Sequence, residues 1–247
     1  MKIRRAQFSL IALLLMGLTF ATQQQPAQAK DVPTHGAVKP EPRKDDWWMQ
    51  RHNAMNERIK KGNVDLLLIG DSITQGWEGP GAKVWAEFYA KRNAANLGIG
   101  GDQTQHVLWR LDNGNVDGIK PKLAVLMIGT NNSGGNTSQE IADGVKAIVE
   151  KLRAKLPETK IVVLAIFPRG KNDQDRLRKV NDGANKEIAK LADDKMVFFL
   201  DIGPKFLDAD GKTLSRQVMP DLLHLNEKSY RTWAESIEPK VKELMGE

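Results

Sequence analysis

VDLLLIGDSIT, residues 64–74, joins an almost unbroken apolar run to a small polar turn. Residues 64–69 have the profile of a strand buried on both faces, ended by Gly70. Helical patterns flank it. Residues 47–61 place Trp48, Met55 and Ile59 near one face and stop at Gly62, and residues 82–92 carry Val84, Trp85, Phe88 and Tyr89 at helical spacing. The alternation continues with a weak strand at 94–99, a short helix at 104–111 and a strand at 123–128. Thr137-Ser138-Gln139-Glu140 is a capping box, and the helix it opens repeats Ile141, Val145, Ile148, Val149, Leu152 and Leu156. Strands at 161–167 and 196–200 bracket a helix at 175–193, and an Asn226-capped helix closes the chain. Strands alternating with helices predict an α/β domain with a five-stranded parallel sheet between two helical layers. Ligands of such sheets bind beyond the carboxyl ends of the strands, so chemistry is expected just after each one.

Further out, composition bounds the function. Of 247 residues 40% are hydrophobic and 21 are Gly, an ordinary globular balance that excludes disordered and collagen-like classes. Residues 1–29 read as a cleavable export signal. Lys2, Arg4 and Arg5 precede an apolar run at 8–20, and Ala27-Gln28-Ala29 offers a small-x-small cleavage site. Thirteen residues fall short of the roughly 20 that span a bilayer, so no stable membrane insertion is expected after cleavage, and the location is periplasmic or secreted. Losing three basic residues brings the formal +6 close to neutral, which gives no electrostatic case for nucleic acid. Residues 30–45 (KDVPTHGAVKPEPRKD) combine Pro and charge without apolar period and read as an exposed flexible linker, leaving 46–247 as the domain. The chain has no Cys, which excludes disulfides, thiol catalysis and thiolate metal sites.

Three strand ends are small and polar: Gly70-Asp71-Ser72-Ile73-Thr74, Gly98-Ile99-Gly100-Gly101-Asp102 and Gly129-Thr130-Asn131-Asn132. Before the last helix stands Asp221-Leu222-Leu223-His224, whose i, i+3 pair can let a carboxylate fix an imidazole tautomer. Together they suit acyl transfer. Ser72 is the candidate nucleophile, His224 the general base and acid, and Asp221 the group that orients it. The N–H groups of Ser72 and Gly101 and the Asn131 carboxamide are candidate oxyanion donors.

GDSIT, NLGIGGDQTQHVLWRL, IGTNN and DLLHLN resemble the four sequence blocks of the SGNH (GDSL) hydrolases, within them the catalytic subunits of type I platelet-activating-factor acetylhydrolase. The likeness runs from WWMQRHN at Trp47 through Leu244 and includes IKPK and FPRG. It implies a flavodoxin-like fold with strand order 2-1-3-4-5, the triad Ser72, Asp221 and His224, and an oxyanion hole with Gly101 and Asn131. It also implies a small acyl pocket bordered by Ile73, Thr130 and Leu223 that favours acetyl, with no cofactor and no metal. Homodimerisation is an expectation of the resemblance alone. Asn132 stands where the broader superfamily commonly has Asp, although GTNN is similar to the acetylhydrolase version. The export signal has no counterpart in those intracellular enzymes.

The resulting expectation is an exported serine esterase that removes short acyl groups from a small-molecule or polysaccharide ester. The alternative within this class is an acetylhydrolase or lysophospholipase acting on phospholipid-like esters. Outside it stand a non-catalytic binding protein and a metal-dependent phosphohydrolase built on Asp71, Asp102 and Asp201. A dinucleotide motif fails because position 103 is Gln, and Asp208-Ala209-Asp210-Gly211 lacks the other ligands of a calcium loop and reads as a turn. Trp47, Trp48, Trp85, Trp109 and Trp233 are expected in the core rather than on a sugar-stacking surface. Asp71 and Asp102 are expected to brace their loops by accepting from backbone N–H groups. His35, His52 and His106 are expected in packing or surface roles.

Overall fold

The computed structural model describes residues 34–247, so the expected export signal at 1–29 lies outside the described residues. Strand β1 (Leu66–Gly70) has all five residues buried. Its side chains alternate between the two faces of the sheet. Leu67 and Ile69 enter one apolar cluster, and Leu66 and Leu68 enter the other. The first cluster is completed by α1 (Asp46–Lys60), α4 (Thr104–Asp112), α5 (Ser138–Lys155) and α6 (Arg176–Ile188). The one-turn helix α2 (Ser72–Gln75), α3 (Ala82–Phe88) and α7 (Glu227–Met245) cover the opposite face. With β2 (Ala94–Gly98), β3 (Leu123–Met127), β4 (Lys160–Leu164) and β5 (Val197–Leu200), β1 forms a parallel sheet of order β2-β1-β3-β4-β5. That is the expected three-layer α/β fold.

Local chemistry sets the element ends. Thr137 and Glu140 form the expected capping box, with Glu140 N–H donating to Thr137 Oγ1 at 3.2 Å and Thr137 N–H to Glu140 Oε2 at 2.8 Å. Asn226 caps α7 by accepting from Ser229 N–H at 3.0 Å. Two elements are shorter than their patterns. Strand β4 stops at Leu164, because the Asn185 carboxamide takes both backbone groups of Ile166, at 2.8 and 3.0 Å, in place of a neighbouring strand. Helix α3 stops at Phe88; a 3-10 turn at Ala90–Arg92 follows, and Asn93 takes the left-handed conformation at φ 47°.

Residues 34–45 are not the flexible linker that their composition suggests. Much of the stretch is exposed, yet Ala37 is completely buried, and its carbonyl accepts from Thr104 Oγ1 at 2.7 Å. Glu41 N–H donates to Gln105 O at 3.2 Å, and Arg43 donates to Gly100 O at 2.7 Å. The segment is a strap across α4 and the loop after β2. A few tertiary bonds and one small apolar residue hold it, so no periodic pattern marks it. Among the described residues no helix is long and apolar enough to cross a membrane.

Candidate active site

Ser72 opens α2 directly beyond the carboxyl end of β1. The sharp exit from the strand is stabilised by Asp71, whose Oδ1 accepts from Ile73 N–H at 2.9 Å. Strand β2 packs so closely that a Cβ on Gly98 would stand 2.2 Å from the Gln75 nitrogen, and only glycine permits that approach. Burial raises the Asp71 carboxyl to about 7, with the Ile73 N–H opposing it and the neighbouring Asp102 adding to the rise.

Ser72 Oγ lies 2.9 Å from His224 Nε2, across 152 positions of sequence. His224 Nδ1 lies 2.6 Å from Asp221 Oδ2. The other carboxylate oxygen of Asp221 accepts from the backbone N–H groups of Leu223 and His224, at 3.0 and 2.7 Å. One side chain therefore folds the turn and orients the ring. Burial pushes the Asp221 carboxyl upward, but those N–H groups and the imidazole outweigh it and hold the group below the usual carboxylate range. Leu222 pays for the tight turn with a left-handed backbone at φ 64°. Ser72, His224 and Asp221 form one continuous hydrogen-bonded chain.

The remaining sequence candidates surround Ser72. Gly101 adopts φ 76°, a conformation open to glycine at little cost. Among the described residues no acceptor takes the N–H of Ser72 or of Gly101. One hydrogen of the Asn131 carboxamide goes to Asp102 O at 2.9 Å, which leaves its second N–H available. Gln103 Nε2 donates to Asn131 O at 2.8 Å and ties the loop after β2 to the loop after β3.

A profile of the GDSL-like lipase/acylhydrolase family matches residues 68–232. The platelet-activating factor acetylhydrolase IB subunit alpha2 of Rattus norvegicus is 38% identical over 206 residues, covering 82% of this chain and 87% of that protein. The alpha1 subunit of Homo sapiens is 39% identical over 187 residues, covering 75% and 79%. This chain belongs to the GDSL-like lipase/acylhydrolase family. An acetylxylan esterase from Geobacillus stearothermophilus shares the fold at TM-score 0.59 and 18% identity, covering 75% of this chain and 95% of that structure. The strand order implied by the resemblance is the one observed.

Within this acylhydrolase the three pocket candidates have different surroundings. Ile73 is buried in the apolar cluster beneath α7, and Leu223 packs half-buried against the same cluster. Thr130 is buried, and its hydroxyl accepts from Arg169 Nη1 at 3.1 Å and Asn181 Nδ2 at 3.3 Å. The FPRG segment after β4, which the sequence marks only through the family likeness, works on both sides of the site. Arg169 Nη1 also reaches Thr130 O at 3.0 Å, beside Asn131, and Gly170 N–H donates to Leu222 O at 2.9 Å, inside the Asp221–His224 turn. Neither contact has a local sequence signal.

Two expectations are corrected. Asp102 does not brace its loop through backbone N–H groups. Its carboxylate is completely buried and accepts from Trp48 Nε1 at 2.6 Å and Arg110 Nε at 2.9 Å. Trp47 is not core: it is 47% exposed, while its neighbour Trp48 is fully buried. Adjacent helix positions face directions about 100° apart, so the two indoles cannot share one apolar face. Of the aspartates considered for a metal, Asp102 has both oxygens engaged, and Asp201 Oδ1 accepts from Gly203 N–H at 2.8 Å. His52 stacks on Trp48 at 5.7 Å between ring centres, and His106 Nδ1 caps α4 by accepting from Gln103 N–H at 3.0 Å. His35 lies 3.3 Å from Asp143.

Proposed function

We propose that this chain is an exported serine esterase that removes acetyl and other short acyl groups through an acyl-enzyme on Ser72. The observation that carries the proposal is the unbroken relay from Ser72 through His224 to Asp221, at 2.9 and 2.6 Å. Ser72 Oγ attacks the ester carbonyl while His224 Nε2 takes its proton. Asp221 accepts the Nδ1 proton in a hydrogen bond and stabilises the imidazolium. The oxyanion of the tetrahedral intermediate receives the N–H groups of Ser72 and Gly101 and the free carboxamide N–H of Asn131. His224 then protonates the leaving alkoxide, which departs as the alcohol. Water, deprotonated by His224, repeats the sequence on the acyl-Ser72 ester and releases the carboxylate.

Acetyl is the favoured acyl group because the acetylhydrolase subunits are named for that activity and match most of this chain. An acetylated carbohydrate is the favoured substrate. The amino terminus reads as an export signal, and the triad stands on an open rim with the His224 and Asp221 side chains 44% and 56% exposed. A rim of this kind admits an ester carried on a bulky polymer.

Hydrolysis of p-nitrophenyl acetate by wild type and Ser72→Ala tests the mechanism: the variant should lose all but a trace of the rate. Equal rates in the two proteins would end the esterase reading. Acetylated xylan, acetylated monosaccharides and acetyl phospholipids assayed side by side then test the substrate class. A preference for the phospholipid would overturn the carbohydrate assignment while leaving the mechanism standing.

A further inference from the structure

Arg43 lies in the strap ahead of α1, outside every motif that points to acyl transfer. Its Nη1 donates to the Gly100 carbonyl oxygen at 2.7 Å. That oxygen and the Gly101 N–H are the two ends of one planar, conjugated peptide unit. We propose that Arg43 is a positioning residue that strengthens the Gly101 N–H as an oxyanion donor by polarising this peptide from its far end. The proposal rests on the esterase reading above.

A cation bonded to an amide oxygen draws electron density through the C–N bond and leaves the N–H more positive. Hydrogen bonds linked in this way reinforce one another. The effect counts most where negative charge develops during reaction, which is at the oxyanion. Both neighbouring peptides are also held. Gly100 N–H donates to Gln75 Oε1 at 2.7 Å, and Asp102 N–H donates to Ile99 O at 3.2 Å. Of these three successive N–H groups, only that of Gly101 has no acceptor among the described residues and is left for a ligand.

Arg43 itself is held for the task. Asp45 Oδ2 accepts from Nε at 3.1 Å and lies 2.9 Å from Nη2 as an ion pair, and the guanidinium lies 5.0 Å from the centre of the Trp47 ring. This gives the exposed indole a purpose: it is the shelf on which Arg43 rests. A Cβ on Gly101 would stand 2.6 Å from Nη1, so glycine at 101 also admits the guanidinium against the loop. Nη1 serves the Gly100 oxygen, and the role assigned to Arg43 runs through that peptide; a direct grip on substrate is the outcome that the change in KM separates from it.

The test compares Arg43→Gln, Arg43→Lys and Ser72→Ala with wild type, using p-nitrophenyl acetate and methylboronic acid, which forms a tetrahedral adduct on serine. Arg43→Gln should lower kcat by about tenfold, less than loss of a whole oxyanion donor, with KM within about twofold. The inhibition constant for methylboronic acid should rise by the same factor, and Arg43→Lys, which restores a cation, should recover part of both. Melting temperatures should stay close to that of wild type. A wild-type kcat in Arg43→Gln overturns the proposal, as does a rise in KM at constant kcat, which would make Arg43 a substrate contact. Equal losses of kcat and melting temperature in both Arg43 variants would reduce it to an anchor of the strap and also overturn it. A silent Arg43→Gln beside an inactive Ser72→Ala refutes this inference alone; an active Ser72→Ala removes the esterase reading and the inference with it.

Discussion

Replacing Asn131 with Ala removes one of the three proposed oxyanion donors and leaves Ser72, His224 and Asp221 untouched. The Asn131 backbone carbonyl still accepts from Gln103 Nε2, so the loop stays tied. Among the described residues, the only side-chain bond lost in the resting protein is the one to Asp102 O at 2.9 Å. A single part-buried hydrogen bond contributes about 1 kcal/mol, a fraction of the roughly 5–15 kcal/mol that holds a domain folded. The transition state loses more. Removing one preorganised donor costs about 10²–10³ in kcat, or about 2.7–4 kcal/mol. Asn131→Ala should therefore fold normally, bind p-nitrophenyl acetate with a similar KM and turn it over about 10²–10³ times more slowly. Asn131→Asp sharpens the test, because a carboxylate there repels the oxyanion and should be slower still. Initial rates across a substrate series, with thermal melts of the same preparations, separate the two effects. A fall in kcat of less than about tenfold, or an Asp variant faster than the Ala variant, would remove Asn131 from the hole.

Asp71 should make folding depend on pH. Its carboxyl is raised to about 7 by burial, so the protonated form is favoured in the folded chain; that contribution is complete below the ordinary value of 3.8 and fades as pH rises through about 7. The melting temperature of Asp71→Asn relative to wild type should thus climb between about pH 4 and pH 7 and level off above that, and a constant difference would show that Asp71 does not titrate there. Trp48→Phe strips one partner from the buried Asp102 carboxylate and empties part of the core, so urea unfolding should show a loss of about 2–4 kcal/mol. A change below about 0.5 kcal/mol would mean that this bond adds nothing to stability.

The parts of the site carried by contiguous motifs are legible in the sequence, and the distant meeting of Ser72 with His224 is legible because such a motif marks each end; pairings whose ends carry no motif are not. Gly70-Asp71-Ser72 follows a run with an unmistakable strand pattern, and Asp221 and His224 are close enough in sequence for turn geometry to relate them. Arg43 gives no such sign. Its bond to Gly100 spans 57 positions and starts from a segment whose Pro and charge content suggests a linker. Arg169 meets Thr130 across 39 positions, and nothing in FPRG itself specifies that partner. The early end of β4 is equally hidden, because a side-chain amide on α6 imitates an adjoining strand. Trp47 escapes the helical pattern because it and Trp48 are adjacent indoles that point apart, and periodicity can place only one of them in the core.

The FPRG segment carries a practical consequence for engineering. Arg169 grips the loop beside Asn131 and Gly170 grips the turn between Asp221 and His224, so two consecutive residues clasp opposite banks of the rim. Grafting a foreign loop at this point to retune acyl preference would loosen the proposed general base, His224, and the proposed oxyanion donor, Asn131, together. Substitution at Leu223, the proposed border of the acyl pocket, changes an apolar side chain and leaves both of those contacts intact.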